Sequence, residues 1–178
     1  MAFINIEIKA RTGRVEEIRQ FLQEQGAEFK GVDEQTDTYF KVSNGRLKLR
    51  QGKIENNLIF YNRPDQPGPK QSDFDLVKIE DAEKFKELLE KAIGVKVVVK
   101  KKREIYYIKN VKFHLDTLEG LGNFVEIEAG NKTHSLTVEE LHRQCEYYLK
   151  EFGIKEEDLI DQSYSDMLLL RGLSKELA

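Results

Sequence analysis

The sequence has little of several features that mark common protein classes. A single cysteine among 178 residues excludes an internal disulfide framework and a zinc site built from several cysteines. No apolar run approaches the roughly 18 residues that a membrane-spanning helix requires, and the N-terminal segment lacks the apolar stretch of a signal peptide. We therefore predict a cytoplasmic protein that has no membrane partner.

An excess of charge of either sign is also missing. The 29 Lys and Arg residues against 32 Asp and Glu residues leave a formal net charge of −3, although 34% of the residues are charged. The pI of about 5.8 argues against a nucleic-acid partner, because proteins that coat nucleic acids normally carry a basic surface. The length favours one domain, residues 1–178. The main question is then where in the fold the many charged residues lie.

Hydrophobic periodicity divides the chain into helices and strands. Apolar residues at helical spacing predict amphipathic helices over residues 14–25, 81–93 and 138–152, with shorter helical segments at 156–160 and 164–170. Alternation of apolar and polar residues predicts eight strands, over residues 4–11, 36–42, 47–51, 58–63, 73–79, 97–108, 111–118 and 123–129. Turn residues at 43–45, 55–57 and 109–110 separate neighbouring strands. The predicted class is α+β with a mainly antiparallel sheet.

The charged residues of the predicted strands lie on one face. On the first strand an apolar face alternates with Asn5, Glu7 and Lys9, and on the sixth Lys101 and Arg103 share a face. An ordinary half-buried sheet would turn this face to water. The density of charge favours a second arrangement, a closed antiparallel barrel with the charged face inward and the helices outside. With cations on the middle strands and carboxylates on the first and last, such a lumen suits a polyanion and a divalent metal.

Seven short motifs occur in an order that resembles the CYTH family, also described as triphosphate tunnel metalloenzymes. They are Asn5-Ile6-Glu7-Ile8-Lys9, Leu47-Lys48-Leu49-Arg50, Tyr61-Asn62-Arg63, Val99-Lys100-Lys101-Lys102-Arg103, His114-Leu115-Asp116, the Gly120-Leu121-Gly122 to Glu126-Ile127-Glu128 segment, and Ser163-Tyr164-Ser165-Asp166-Met167-Leu168. The family includes class IV adenylyl cyclases, thiamine triphosphatases and inorganic triphosphatases. The resemblance implies a closed, eight-stranded antiparallel tunnel that binds a triphosphate with divalent cations.

The resemblance also implies roles for individual residues. Mg²⁺ or Mn²⁺ would be held by the acidic residues Glu7, Asp116, Glu126 and Glu128. Phosphate oxygens would be bound by Lys9, Lys48, Arg50, Arg63, Lys101 and Arg103, of which Lys9, Arg63, Lys101 and Arg103 would be catalytic. Asn5 stands where the family motif begins with Glu, which leaves open whether one or two metals bind. The roles of His114 and Tyr164 also stay open.

The implied activity has two enzymatic versions. In the first, which the C-terminal motif favours, the protein resembles class IV adenylyl cyclases and converts ATP to cyclic AMP and pyrophosphate. In the second, it hydrolyses tripolyphosphate, thiamine triphosphate or a nucleoside triphosphate. A non-catalytic polyphosphate or nucleotide sensor is an alternative that Asn5 favours, whereas a single-stranded RNA-binding barrel would need more aromatic residues on the charged faces. Relatives in the family often form dimers, so a homodimer is a further expectation.

Overall fold

Eight antiparallel strands close into a barrel in the computed structural model, which describes residues 3–62 and 64–177 and the side chains as far as residue 172. The order around the barrel is β1-β5-β4-β3-β2-β6-β7-β8, with β8 pairing back to β1. The strands are β1 Phe3–Arg11, β2 Glu28–Phe40, β3 Arg46–Gln51, β4 Asn56–Asn62, β5 Lys70–Lys78, β6 Val95–Ile108, β7 Val111–Leu118 and β8 Gly122–Gly130. The predicted closed eight-stranded antiparallel barrel is confirmed.

Four helices surround the barrel and confirm the predicted α+β class. They are α1 Val15–Glu24, α2 Ala82–Ile93, α3 Val138–Glu151 and α4 Tyr164–Leu177, and a short 3₁₀ turn precedes α4 at Glu156–Asp158. The Asp81 side chain caps α2, and Thr137 with Glu140 forms a capping box at α3. Within residues 3–62 and 64–177, no helix is both long and apolar enough to cross a membrane.

The main hydrophobic core lies outside the barrel, between its wall and the helices α1 and α3. Outward side chains of β1, β7 and β8, such as Ile6, Phe113 and Ile127, pack there against Leu22 and Leu141, and all are fully buried. Cys145 belongs to the same core, as its place on the apolar stripe of α3 predicts. Because side chains alternate along a strand, burying this apolar face outward turns the charged face of the same strands into the lumen.

A second hydrophobic cluster closes one part of the lumen. It contains Tyr39, Tyr61, Phe124 and Tyr164 together with partly buried residues of α4 such as Met167. Residues at the start of α4 are held by Ser163, whose hydroxyl accepts a hydrogen bond from the Asp166 N–H, while the Asp166 carboxylate accepts one from the Ser163 N–H. This reciprocal capping fixes Tyr164 with its ring in the barrel.

The main difference from the predicted elements concerns β2. It begins at Glu28 rather than at residue 36, and its pairing with β6 shifts register between Phe29 and Gly31. Gly31 has a φ of 126°, which side chains of L-residues rarely adopt. The polar residues between 31 and 36 have low strand propensity, so the local sequence pattern does not predict a strand there. The segment is extended because it pairs with the long strand β6.

The turn between β3 and β4 also differs from its predicted place at residues 55–57. Asn56 and Asn57 lie within β4. The turn comes earlier in the chain because the Asp33 carboxylate binds the backbone of the turn residues. Asp33 accepts hydrogen bonds from the N–H groups of Lys53, Ile54 and Glu55 at 2.7, 3.2 and 3.1 Å. A buried carboxylate from another strand thus sets the shape of this hairpin.

Candidate active site

All eight strands contribute to a cavity of about 910 Å³ inside the barrel. Charged side chains predicted for the site line it from β1, β3, β6 and β8, namely Glu7, Lys9, Lys48, Arg50, Lys101, Arg103, Glu126 and Glu128. Lys100 and Lys102 are exposed on the opposite face of β6, as the predicted alternation requires. Arg63, predicted to bind phosphate, lies outside the described residues.

One side of the lumen, here called the cation wall, consists of Lys48, Arg50, Lys101 and Arg103 around Asp37, on the adjoining strands β3, β2 and β6. The Arg50 guanidinium donates two hydrogen bonds to the Asp37 carboxylate, both 2.9 Å long. The Lys101 and Lys48 ammonium groups lie 2.7 and 3.6 Å from Asp37 Oδ2. Three cations therefore share one buried carboxylate, which is 1% exposed.

The shared carboxylate changes the protonation of the cation wall. Burial alone would raise the pKa of Asp37, but Arg50, Lys101 and Lys48 hold that pKa well below its usual range. Burial also lowers the pKa of Lys101 to about 7, and the neighbouring positive charges of Arg103 and Arg50 act in the same direction. The negative charge of Asp37 raises the pKa but offsets these effects only in part. Lys101 is therefore a cation whose charge is easily lost in the absence of an anionic ligand.

Arg103 connects the cation wall to β7. Its guanidinium donates two hydrogen bonds of 2.7 Å to the Asp116 carboxylate, and the Tyr164 hydroxyl donates a third, of 2.8 Å, to the same group. Asp116 is 1% exposed, and both of its oxygens are engaged. Asp116, predicted to lie near the metal, thus has Arg103 as its immediate partner.

The opposite side of the lumen, here called the acid wall, consists of Glu7, Glu126 and Glu128 on the adjoining strands β1 and β8. Glu126 is close to Lys9 at 3.3 Å, to Arg103 at 3.5 Å and to His114 Nδ1 at 3.3 Å. Glu128 pairs in register with Glu7. Burial and the neighbouring Glu7 raise the pKa of Glu128 to about 7. The acid wall therefore carries carboxylates whose repulsion is only partly relieved by Lys112 and Arg103.

This excess of acid fits a divalent cation. One nitrogen of His114 and one oxygen each from Glu126 and Glu128 lie within 4.8 Å of one another. Carboxylate oxygens are the preferred ligands of Mg²⁺ and Mn²⁺, and a bound cation would remove the repulsion that raises the pKa of Glu128. Asn5 also lines the cavity, on the same face of β1 as Glu7.

The comparisons with known proteins agree with this geometry. The chain matches the family model for the CYTH domain over residues 4–164. The chain belongs to the CYTH family. A Methanocaldococcus jannaschii protein named "Putative adenylate cyclase" is 30% identical over 181 residues, which cover 96% of this chain and 99% of that protein.

Two solved structures share this CYTH fold. The PH1012 protein from Pyrococcus horikoshii is 28% identical, with a TM-score of 0.74 over 91% of this chain and 98% of that one. A protein from Vibrio parahaemolyticus described as a "putative adenylate cyclase" is 17% identical, with a TM-score of 0.75 over 93% of this chain and 97% of that one. At that identity the second likeness concerns the fold alone.

The CYTH lumen of this chain contains a second internal carboxylate that the sequence interpretation missed. Glu55 reaches from the hairpin shaped by Asp33 and contacts Lys112 Nζ on β7 at 2.5 Å and Arg50 Nη1 at 3.3 Å. Gln35 donates a hydrogen bond of 2.7 Å to the same carboxylate. Alternation along residues 33–39 could have revealed Asp37, but no local signal reveals Glu55, since its position depends on the distant Asp33.

The rest of the lumen is largely neutral. The inward side chains of β4 and β5 are uncharged except at the ends of β5, where Lys78 lines the cavity and Lys70 is buried; the uncharged ones are Asn57, Ile59, Tyr61, Ser72, Phe74 and Leu76. The hydroxyls of Tyr39 and Tyr61 lie 3.4 Å apart, and Lys48 Nζ lies 5.2 Å from the centre of the Tyr61 ring. Tyr164 packs edge-on against Phe124, with the Lys9 ammonium 3.7 Å from its ring centre. The cavity thus offers aromatic surface next to its cations.

Proposed function

We propose that this protein is a divalent-metal-dependent enzyme that binds a triphosphate in the barrel lumen, with conversion of ATP to cyclic AMP and pyrophosphate as its reaction. The observation that carries the proposal is the pairing of two opposed walls in one cavity. Four cations face the lumen on β3 and β6, and three carboxylates face it on β1 and β8. A triphosphate with a metal ion is a ligand that complements both walls.

The cation wall binds the phosphates in this proposal. The guanidinium groups of Arg50 and Arg103 each offer a planar fork of donors, and Lys48 and Lys101 add point charges. Because these groups already hold Asp37, Asp116 and Glu55, a triphosphate exchanges one set of anionic partners for another rather than neutralising bare charge. Such pre-positioned cations stabilise the charge that develops on the phosphoryl oxygens during transfer.

The acid wall holds the metal in this proposal, through Glu7, Glu126 and Glu128. A bound Mg²⁺ or Mn²⁺ supplies positive charge and Lewis acidity at the phosphate oxygens. Lys9, which lies between Glu126 and the Tyr164 ring, is placed to bind a phosphate oxygen beside that site. The two walls together hold the triphosphate chain so that the attacking group can approach in line.

The neutral side of the lumen supports an organic triphosphate over tripolyphosphate. Tyr61, Phe74 and the Tyr164 end of the cavity offer aromatic surface on which a base can pack. In the cyclase reaction the ribose 3′-hydroxyl attacks the α-phosphorus, the bond to the β-phosphate oxygen breaks, and pyrophosphate leaves. The name of the 30% identical M. jannaschii relative points to the same reaction.

Hydrolysis of the triphosphate is a second candidate, which the size of the cavity favours. A volume of about 910 Å³ leaves room for water beside a bound triphosphate. Water would then attack the terminal phosphorus of a nucleoside triphosphate or thiamine triphosphate, the bond from that phosphorus to the bridging oxygen would break, and orthophosphate and the corresponding diphosphate would leave. The same phosphate-binding cations serve both reactions.

The test is a product assay with ATP, thiamine triphosphate and tripolyphosphate, each with Mg²⁺ or Mn²⁺. Cyclic AMP with pyrophosphate supports the cyclase, and orthophosphate selects hydrolysis. Glu128→Gln is expected to lower turnover at least about 100-fold, since it removes a metal ligand. Glu119→Gln, at an exposed position, is the matched control and should retain full activity. Triphosphate binding without turnover under all conditions would overturn the enzymatic proposal and leave a sensor.

A further inference from the structure

Three exposed lysines surround the end of the lumen that lies away from α4. Lys78 ends β5, Lys109 lies in the turn between β6 and β7, and Lys132 follows β8. The strand registers place these points at one end of the barrel, next to the start of β1. All three side chains line the cavity and are exposed to solvent. They are here called the lysine rim.

The charge of the lysine rim is not cancelled by the chain. None of its three lysines forms an ion pair within the part of the chain that the structure describes. By contrast, Lys30 at the same end is paired with Glu28 at 2.6 Å. Lys112, deeper in the lumen, is paired with Glu55 at 2.5 Å. Glu80 is the one carboxylate on the rim without a cation partner among the described residues, so three positive charges oppose one negative charge there.

The opposite end of the lumen is filled by side chains of α4 and of the barrel. Tyr164 and Met167 of α4 pack there with Tyr39 and Tyr61. The described residues that line the cavity at this end, such as Tyr61 and Ser163, are buried. A ligand that comes from solution therefore reaches the cation wall by way of the lysine rim.

The lysine rim is distant from the cation wall. Lys109 follows Arg103 by six residues, which at about 3.3 Å per residue corresponds to about 20 Å along β6. At an ionic strength of about 0.15 M, interactions between exposed charges are largely screened beyond about 8 Å. The rim therefore acts on a ligand while the ligand passes, and hardly on one that is bound beside Arg103.

We propose that the lysine rim is the electrostatic entrance of the lumen, which attracts a phosphate-bearing anion and guides it to the cation wall. The inference rests on the proposed function, because it needs a triphosphate that binds inside the barrel. Clefts lined by charge of one sign raise the local concentration of oppositely charged ligands and their association rates. Because the ligand passes the rim on entry and on exit, the rim speeds both steps and leaves the equilibrium nearly unchanged.

The test is the association rate constant for tripolyphosphate with Mg²⁺, measured by stopped-flow at about 0.15 M salt. Tyrosine fluorescence can report binding, since the chain has no tryptophan. In the triple variant Lys78→Gln/Lys109→Gln/Lys132→Gln we expect this rate constant to fall about tenfold, while the dissociation constant changes less than about twofold. At about 1 M salt, where screening acts within about 3 Å, the variant should bind as fast as the native protein.

A matched control removes three exposed lysines far from the rim. Lys84→Gln/Lys91→Gln/Lys100→Gln changes α2 and the outer face of β6 and should bind at the native rate. A single charge reversal, Lys132→Glu, gives a second measure and should slow association more than Lys132→Gln does, because it replaces attraction by repulsion.

The outcomes separate this inference from the proposed function. Native binding of tripolyphosphate with an unchanged association rate in the rim variant overturns the entrance and leaves the lumen site standing. A dissociation constant that rises as much as the association rate falls would place the lysines in contact with the bound ligand and also contradict the inference. Absence of binding to the native protein overturns both.

Discussion

The cation wall and the acid wall of the lumen balance their charges in opposite ways. On the cation wall, Lys48, Arg50 and Lys101 converge on the carboxylate of Asp37. On the acid wall, Glu128 faces Glu7, and its pKa is raised to about 7 because burial and that neighbour oppose its charge. The chain's own cations neutralise Asp37 on one wall, whereas on the other wall Lys112 and Arg103 only partly offset the burial and the Glu7 charge that oppose the ionisation of Glu128.

This difference indicates how a ligand would use each wall. A buried ion pair is held at a cost in desolvation, and removing one partner alone is strongly unfavourable. The internal carboxylates therefore keep the phosphate-binding cations in place when no triphosphate is present, and a polyanion must compete with them. On the acid wall Glu126 has Lys9 and Arg103 as partners, but burial and Glu7 still oppose the charge of Glu128, so a metal ion should bind there with a gain in stability.

The largest effect is expected from breaking the balance of the cation wall with Asp37→Asn. The change leaves three buried cations without their shared partner, and we expect the free energy of unfolding to fall by about 3–5 kcal/mol in urea denaturation. Tripolyphosphate should restore more stability to this variant than to the native protein, because it supplies the missing anion. Asp75→Asn, on the exposed face of β5, is the control. A loss below about 1 kcal/mol would contradict the role of Asp37.

A smaller effect of opposite sign is expected on the acid wall from Glu128→Gln. The folded-state pKa of Glu128 is raised from 4.5 to about 7, so its ionisation destabilises the fold increasingly from pH 4.5 upward, and fully above pH 7. The variant should therefore be more stable than the native metal-free protein by about 1–3 kcal/mol at pH 8, with the difference vanishing near pH 4. Thermal unfolding at both pH values, in the presence of a chelator, measures it. An equal gain at pH 4 and pH 8 would show that repulsion is not the cause.

The sequence predicts which side chains of each strand face the lumen and which face the helices. It predicts only some of the charged residues that make up each wall. Alternation correctly places Lys101 and Arg103 inside the barrel and Lys100 and Lys102 outside, because the apolar face must be buried under the helices. The expectation of cations alone on the middle strands is wrong, since Asp37 sits among them. Asp37 lies within the predicted strand over residues 36–42, so alternation could have placed it in the lumen, whereas the segment from Glu28 to Gln35 is extended only through its pairing with β6.

Contacts between distant residues explain what else the sequence leaves unpredicted. Glu55 enters the lumen because Asp33, 22 residues away, binds the backbone N–H of Glu55. The Tyr164 hydroxyl meets Asp116 because α4 closes the barrel. Neither contact has a signature in local periodicity, whereas the motifs on single strands do.

A more moderate change is expected from Lys101→Met, which removes one phosphate-binding cation and leaves Asp37 with Arg50 and Lys48. The dissociation constant for tripolyphosphate at pH 6 should rise about tenfold, the equivalent of about 1.4 kcal/mol. Lys100→Met, which changes the exposed neighbour on the same strand, should leave it unchanged. Isothermal titration calorimetry measures both, and equal effects of the two changes would sink the assignment of Lys101 to the lumen site.

The native protein should also bind tripolyphosphate less tightly as the pH rises above 7. The pKa of Lys101 is lowered to about 7, so the free protein loses this charge above that pH and must take up a proton to bind the polyanion. Affinities measured from pH 6 to pH 9 should show this decline, and Lys101→Met should lack it. Parallel pH profiles for the two proteins would assign the decline to another group.

The smallest effect is expected at the junction of the two walls, from Tyr164→Phe. The change removes one hydrogen bond to Asp116, whose carboxylate keeps both bonds from Arg103. We expect the free energy of unfolding to fall by about 1 kcal/mol in urea denaturation, as for one ordinary hydrogen bond, because Arg103 still satisfies the Asp116 charge. A variant as stable as the native protein would show that Arg103 alone holds Asp116.

The most direct test of the two-wall account is the affinity for tripolyphosphate with and without Mg²⁺, measured in the native protein and in Glu128→Gln. The account predicts that Mg²⁺ tightens binding in the native protein and loses this effect in the variant, while metal-free binding by the cation wall stays as tight or becomes tighter. An equal effect of Mg²⁺ in both proteins, or no binding of tripolyphosphate to the native protein, would contradict it.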